Sequence, residues 1–258
     1  MKKFAVILVF VSVILTASYA NAQARTIVML HFDKSPLTDE CGGTWKAEGS
    51  PVISDVNPKT SAVSPRNVLQ LDGESYLQKE NGIILGGKDF TIDGWVYIDS
   101  TCHTQWARIF EFNTSENGTA NRILLCRHGG GPCFAVNDRI FDDIRGYIDE
   151  AFHFACVYEH EKKTISFYIN GELKGKIETG IPARKYNLAY IGKSAANDPL
   201  FTGAVWEFRV TEGAALWTEN FALQSAATIK PSQNAHAITC PHCGSHLKIT
   251  VERLQPEE

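Results

Sequence analysis

The sequence predicts an all-β protein built as an antiparallel two-sheet sandwich, and three observations predict it. Short segments of alternating apolar and polar residues recur along the body of the chain. Gly, Pro, Asn and Asp separate them at the spacing of a sandwich. Between them lies no amphipathic stretch longer than two helical turns, which disfavours parallel βαβ architectures and with them dinucleotide and phosphate-loop folds. Strands are expected over 90–99, 107–112, 122–127, 133–137, 152–159, 164–169, 188–192 and 203–211, with a short helix over 214–220.

Taken in order, the first of these is the most regular. In residues 90–98, Phe90, Ile92, Val96 and Ile98 share one face and belong in the core. Thr91, Asp93, Trp95 and Tyr97 share the other. The next pair of strands is joined through Gly129-Gly130-Gly131, which lacks the Lys and Ser/Thr of a phosphate loop and reads as a hairpin tip. Cys126 and Cys133 flank that tip and are expected on neighbouring strands, joined as a disulfide. Cys156, inside Phe152-His153-Phe154-Ala155-Cys156-Val157-Tyr158, is expected as a buried free thiol acting as a small hydrophobe. In residues 164–169, Ile165, Phe167 and Ile169 go inward and Tyr168 outward, and Asn170-Gly171 then supplies a hairpin turn. A sheet face carrying Trp, Tyr and short polar groups suits sugar recognition, because aromatic rings stack on pyranose faces while neighbours bond hydroxyls. Asp93, Trp95, Tyr97 and Tyr168 are therefore the candidate ligand-binding residues.

Composition narrows the function. With 44% hydrophobic and 21% charged residues, the 258-residue chain can bury a sizeable core. A net charge of −4 leaves nothing basic to release counterions from nucleic acid, so nucleic acid is excluded as a partner. Residues 1–22 read as a secretory signal: Met1-Lys2-Lys3 is a positive n-region, residues 4–15 are apolar but for Ser12, and Ala20-Asn21-Ala22 is a cleavage site. The apolar run is too short for a membrane span of about 20 residues, so no integral membrane segment is expected. The signal is of bacterial type and implies a periplasmic or extracellular protein, in which the two sequons at Asn113 and Asn117 carry no information. Seven cysteines follow it, an odd number, so one at least stays free, pairs between chains or binds something else.

Several stretches together carry a family resemblance. They are Leu71-Asp72-Gly73-Glu74-Ser75-Tyr76-Leu77, Phe90-Thr91-Ile92-Asp93-Gly94-Trp95-Val96-Tyr97, His153-Phe154-Ala155-Cys156-Val157 and Phe167-Tyr168-Ile169-Asn170-Gly171-Glu172-Leu173. Ile191-Gly192 and Phe201-Thr202-Gly203 follow, running into Glu207-Phe208-Arg209-Val210-Thr211-Glu212-Gly213 and the terminal Ala215-Leu216-Trp217-Thr218-Glu219-Asn220-Phe221. Their order and spacing resemble the laminin G-like members of the concanavalin A-like lectin/glucanase superfamily. The resemblance implies a two-sheet antiparallel jelly roll over residues 23–222. It also raises calcium, which members often hold through an acidic pair before the Val-Arg of the last strand. This chain has Trp206-Glu207 there, so only Glu207 carries over. Asp33, Asp39 and Asp72 show no diagnostic carboxylate spacing, and calcium is not assigned.

The glucanases of the superfamily use Glu-x-Asp-x-Glu on one strand, which places two carboxylates across the scissile bond. That pattern is absent. Glu111, Asp142-Asp143 and Asp149-Glu150 are the nearest acidic groups and read as solvated. No Gly-x-Ser-x-Gly elbow or His-Glu-x-x-His helix occurs either.

Residues 223–237 read as a linker, and 238–258 as a tail bearing Cys240-Pro241-His242-Cys243. Three chemistries compete there. The first is a zinc knuckle, with His246 as third ligand or with two chains each giving a knuckle and so forming a homodimer. The second is a dithiol or disulfide pair. The third is a redox centre, because the tetrapeptide matches the active site of oxidising periplasmic thiol oxidoreductases, although only 15 residues follow Cys243 and no thioredoxin pattern surrounds it. The sequence thus points to an exported, non-enzymatic module that binds a glycan or an extracytoplasmic protein. A glycoside hydrolase with dispersed carboxylates, or a thiol oxidoreductase, is the alternative.

Overall fold

A computed structural model describes residues 24–32, 39–54 and 67–223, together with the backbone of two tail strands at 236–239 and 246–249. The signal segment, Asp33, and Cys240 and Cys243 of the tail lie outside the described residues. The chain opens with β1 (Arg25–Leu30), β2 (Trp45–Glu48), β3 (Val52–Ser54), β4 (Val68–Asp72), β5 (Tyr76–Lys79) and β6 (Ile83–Leu85). The central stretch forms β7 (Phe90–Ile98), β8 (Ala107–Asn113), β9 (Arg122–His128), β10 (Gly131–Val136), β11 (Arg139–Phe141) and β12 (Ala151–Glu159). Then come β13 (Thr164–Ile169), β14 (Glu172–Glu178), β15 (Arg184–Tyr186), β16 (Leu188–Ile191) and β17 (Thr202–Glu212). In the tail, β18 (His236–Thr239) pairs antiparallel with β19 (His246–Ile249), Thr239 facing His246.

Two large antiparallel sheets form the sandwich of a jelly roll. The first runs β14-β13-β12-β7-β17-β4-β3, with β1 also on β17, and the second runs β11-β10-β9-β8-β16-β5-β2. Among the described residues there is no helix. Each of the eight expected strands is present to within two residues at either end. The core between the sheets is aromatic: Phe110 of the second sheet stacks on Phe154 of the first at 5.6 Å and meets Phe208 edge-on at 5.6 Å. Phe134 stacks on Phe167 at 4.3 Å. Offset and edge-on pairs of this kind contribute about 0.5–1.5 kcal/mol beyond the area they bury. The inward assignment of Phe90, Ile92, Val96, Ile98, Ile165, Phe167 and Ile169 holds, all of them lying in this core.

Asn170 and Gly171 both take positive φ, 52° and 79°, the two-residue turn that joins β13 to β14. Gly171 is doubly required, since a Cβ there would run into the Phe221 carbonyl. The chain departs from expectation at 214–220, which is irregular rather than helical. Its backbone bonds are made to the sheet instead of within a helix. Thr91 Oγ1 donates to the Ala214 carbonyl and accepts from Leu216 N–H, and Phe221 N–H donates to the Gly171 carbonyl. Far-ultraviolet circular dichroism is expected to report mostly β-structure. Helix content above roughly a third, the ordinary globular share, would refute the architecture.

Candidate functional site

The four residues proposed from alternation do lie on the outer face of the first sheet, opposite the core. That face is not open. Residues 214–223 cross it, and Trp217 and Phe221 stack on each other at 4.1 Å above it. Tyr168 is fully buried against Phe221, ring centroids 5.5 Å apart. Trp95 is 7% exposed, stacked on Trp206 at 5.9 Å and edge-on to His153 at 5.5 Å, and His153 in turn meets Trp217 and Phe221. Asp93 is spent on a bidentate pair with Arg209 at 2.9 and 3.0 Å, with His153 Nε2 3.4 Å from the same carboxylate. Only Tyr97 reaches solvent, its hydroxyl donating to Asp149. Alternation names the side of the sheet a residue takes, and here the chain itself covers that side.

The outer face of the second sheet is different. A row of side chains runs across it from Leu124 through Glu111 and Tyr190 to Gln78, on β9, β8, β16 and β5. The local fold of β8 creates the polar part of this row. Between Arg108 and Phe110 the register slips by one residue, so Ile109 and Phe110 both turn into the core. Arg108, which strict alternation would place with Phe110, is left on the outer face beside Glu111 and Asn113. All three are buried, Glu111 to 2% exposure. Arg108 Nε donates to Glu111 Oε2 at 2.9 Å, and Ala195 N–H donates to the same oxygen at 3.3 Å. Asn113 Nδ2 donates to Glu111 Oε1 at 2.8 Å and to the Gly118 carbonyl at 2.8 Å. Arg108 also pairs with Asp198 at 3.0 Å. These bonds tie two loops, 114–121 and 192–201, to the strand, and Asn117 N–H closes the link by donating to the Ala195 carbonyl.

The result is a pocket of about 210 Å³ lined by Trp106, Arg108, Glu111, Asn113, Arg122 and Asp198, with Asn117 to Thr119 on its rim. It is smaller than the roughly 300–1,000 Å³ that encloses a drug-sized ligand, so it has room for one ring-sized group. Trp106 forms an aromatic wall. Its ring stacks on His128 at 4.2 Å, and the Arg108 guanidinium carbon stands 5.3 Å from its centroid. Its φ of 58° is unusual for so bulky a residue and costs on the order of 1–3 kcal/mol, of the kind that clusters where a side chain is held for use. Further along the row, Tyr190 meets Tyr76 edge-on at 6.0 Å with Lys193 Nζ 4.5 Å above the Tyr76 ring. Burial pushes the Tyr190 hydroxyl up from its ordinary range, against the opposing pull of Lys193.

The remaining candidates fall as follows. Cys126 and Cys133 sit directly opposite each other on β9 and β10, as the hairpin requires, but they are free thiols. Pro132 has no N–H and faces Arg127, so that pair is the non-hydrogen-bonded one and the adjacent cysteines form a hydrogen-bonded pair. Such pairs hold their Cβ atoms at the wide end of about 4.5–5.5 Å, beyond the roughly 3.8 Å a disulfide prefers. Burial pushes the Cys126 thiol well above its ordinary range, and the Cys156 thiol likewise. Glu111 is buried in the network above rather than solvated. Asp142 lies 3.6 Å from His128, and Asp149 is held below the usual carboxylate range, chiefly by the Ser100 backbone N–H. Glu207 pairs with His31 at 2.6 Å. Asp72 is held low by the Glu74 N–H and the Ser75 hydroxyl. Asp39 binds Lys79, and among the described residues no group of three His, Cys, Asp or Glu could hold a metal. No described helix is long and apolar enough to cross a membrane.

Comparison with known proteins agrees with this architecture. A family model for laminin G-like domains, described as the concanavalin A-like lectin/glucanases superfamily, matches residues 71–219. No curated protein matches the chain in sequence. Among solved structures, the chain is similar to domain 4 of AbnA, a GH43 extracellular arabinanase from Geobacillus stearothermophilus, solved with arabinotriose. The TM-score is 0.57 at 18% identity, covering 74% of this chain and 94% of that one. It is also similar to the binding domains of botulinum neurotoxin serotype G (TM-score 0.54, 16% identity, 75% of this chain) and serotype D (0.51, 17%, 76%). It spans about half of each of those, 49% and 50%.

Proposed function

We propose that this chain, which belongs to the concanavalin A-like lectin/glucanases superfamily, is an exported, non-enzymatic module that binds a glycan on the outer face of its second sheet. One observation carries the reading: a ring-sized pocket whose floor of buried polar groups is already hydrogen-bonded and whose wall is the Trp106 ring. A floor held by its own bonds loses little freedom when a sugar hydroxyl arrives, and the Trp106 ring adds apolar surface to the wall against which a pyranose can pack. The arabinanase domain solved with arabinotriose supports the reading by likeness of fold. Hydrolysis needs one carboxyl to give a proton and another to attack or to activate water. Glu111 and Asp198 are both engaged by Arg108, and both Glu111 oxygens are taken.

A glycan array probed with the folded chain, followed by titration calorimetry on the hits, tests this. Trp106→Ala is expected to weaken binding by about tenfold or more, the equivalent of roughly 1.4 kcal/mol or above. Absence of any glycan hit, or release of reducing ends from a hit by the wild-type chain, would overturn it.

A further inference from the structure

Arg122 is the one cation of the pocket that makes no direct ion pair among the described residues. It opens β9 opposite Asn113, and it is 9% exposed. Its Nε donates to the Asn137 carbonyl at 3.1 Å. Glu111 and Asp198 both lie within 3.0 Å of Arg108 and reach Arg122 only through longer-range attraction. A guanidinium taken out of water carries a desolvation cost that a directly paired carboxylate ordinarily offsets, and here the two carboxylates offset it only in part. The cost is visible in Arg122 itself, whose proton affinity burial lowers. Arg122 nevertheless lines the pocket, together with the neutral Asn117 and Thr119 and with Trp106.

Resting on the glycan-binding reading above, we infer that the pocket selects an acidic sugar, Arg122 pairing with an oxyanion carried on the ring that packs against Trp106. The planar fork of a guanidinium matches such a group bidentately, which a neutral hydroxyl does not. Two sources share this chemistry, the carboxylate of a uronic acid and a sulfate ester. The chain as a whole is negatively charged, so the preference arises from contact within the pocket rather than from long-range attraction.

Calorimetric titrations at fixed ionic strength, with four probes, decide. The probes are oligogalacturonate, its carboxyl-reduced form, a sulfated carrageenan oligosaccharide, and its desulfated form. One acidic probe is expected to bind about tenfold or more tighter than its neutral counterpart, and which one identifies the source. Arg122→Gln is expected to bring that ratio to near one, and Arg122→Lys, which keeps the charge but loses the fork, to an intermediate value. Asp198→Asn removes a competing carboxylate from the pocket and is expected to raise it. Equal affinity for acidic and neutral forms in the wild type overturns the inference and leaves the glycan reading standing. Failure of all four probes to bind overturns the inference, and the glycan array then decides the wider reading. Should Arg122→Gln not fold, a ratio unmoved by both Arg122→Lys and Asp198→Asn overturns the inference.

Discussion

Replacing Trp95 by Ala is expected to lower stability by about 3–5 kcal/mol, the range for removing a large buried ring. The ring lies between Trp206 and His153, and His153 carries Trp217 and Phe221. Its loss therefore opens a void in the middle of a stack rather than at its edge. His153 also reaches the Asp93 carboxylate that pairs with Arg209, so the loss of its aromatic neighbour loosens that contact too. Urea denaturation checks this: the midpoint should fall while the slope stays constant, because the same surface is exposed on unfolding. An unchanged midpoint together with weakened glycan binding would return the face to its first reading as a ligand surface.

Asp39→Ala is expected to cost a similar amount, about 3–5 kcal/mol, for a different reason. The Asp39 carboxylate accepts from Met29 N–H and Cys41 N–H on one oxygen, and from Trp45 Nε1 and Lys79 Nζ on the other. Removing it strands four donors, one of them an ammonium with its side chain only 10% exposed. Much of the loss is thus the penalty of the orphaned charge. Asp39→Ala with Lys79→Met should recover a good part of it, since replacing both partners is far cheaper than removing one. Thermal unfolding of the single and double variants measures the difference. A double variant no more stable than Asp39→Ala would place the cost in the bonds from Met29 N–H, Cys41 N–H and Trp45 Nε1.

The strands were legible because each rests on information contained within itself: a period of two, and a turn at either end. Phe90, Ile92, Val96 and Ile98 need no knowledge of the rest of the chain to declare one face apolar. What covers the other face is written elsewhere, in Trp217 and Phe221, about 120 positions away in the sequence. Nothing in the strand distinguishes an aromatic that meets a sugar from one that meets its own chain. The pocket was hidden for another reason. Strict alternation in Arg108-Ile109-Phe110-Glu111 separates Arg108 from Glu111, and the slip at Ile109 that reunites them leaves only a weak trace, two consecutive apolar residues inside a polar-flanked strand. Arg122 was read as the start of a strand and nothing more, since the two loops that make its surroundings a cavity follow no periodic pattern. The paired-cysteine hairpin shows the same limit: register was readable, but the alternation of wide and narrow pairs that decides against a bond depends on Pro132.

The position of β17 bears on how the chain is made. It is the strand that joins β7 to β4 along its first half and to β1 along its second, and β3 is attached only through β4. Arg25 bonds Glu212 across 187 positions. During synthesis from the N-terminus, the hairpins from β7 to β14 can therefore assemble as they emerge, whereas β1, β3 and β4 have no place in their sheet until β17 has been added. Closing loops of that length is slow, and it leaves both the edge of β7 and the earliest strands unpaired for the longest time. The segment that roofs the outer face follows immediately behind β17, so pairing of that strand and sealing of the aromatic layer become consecutive events.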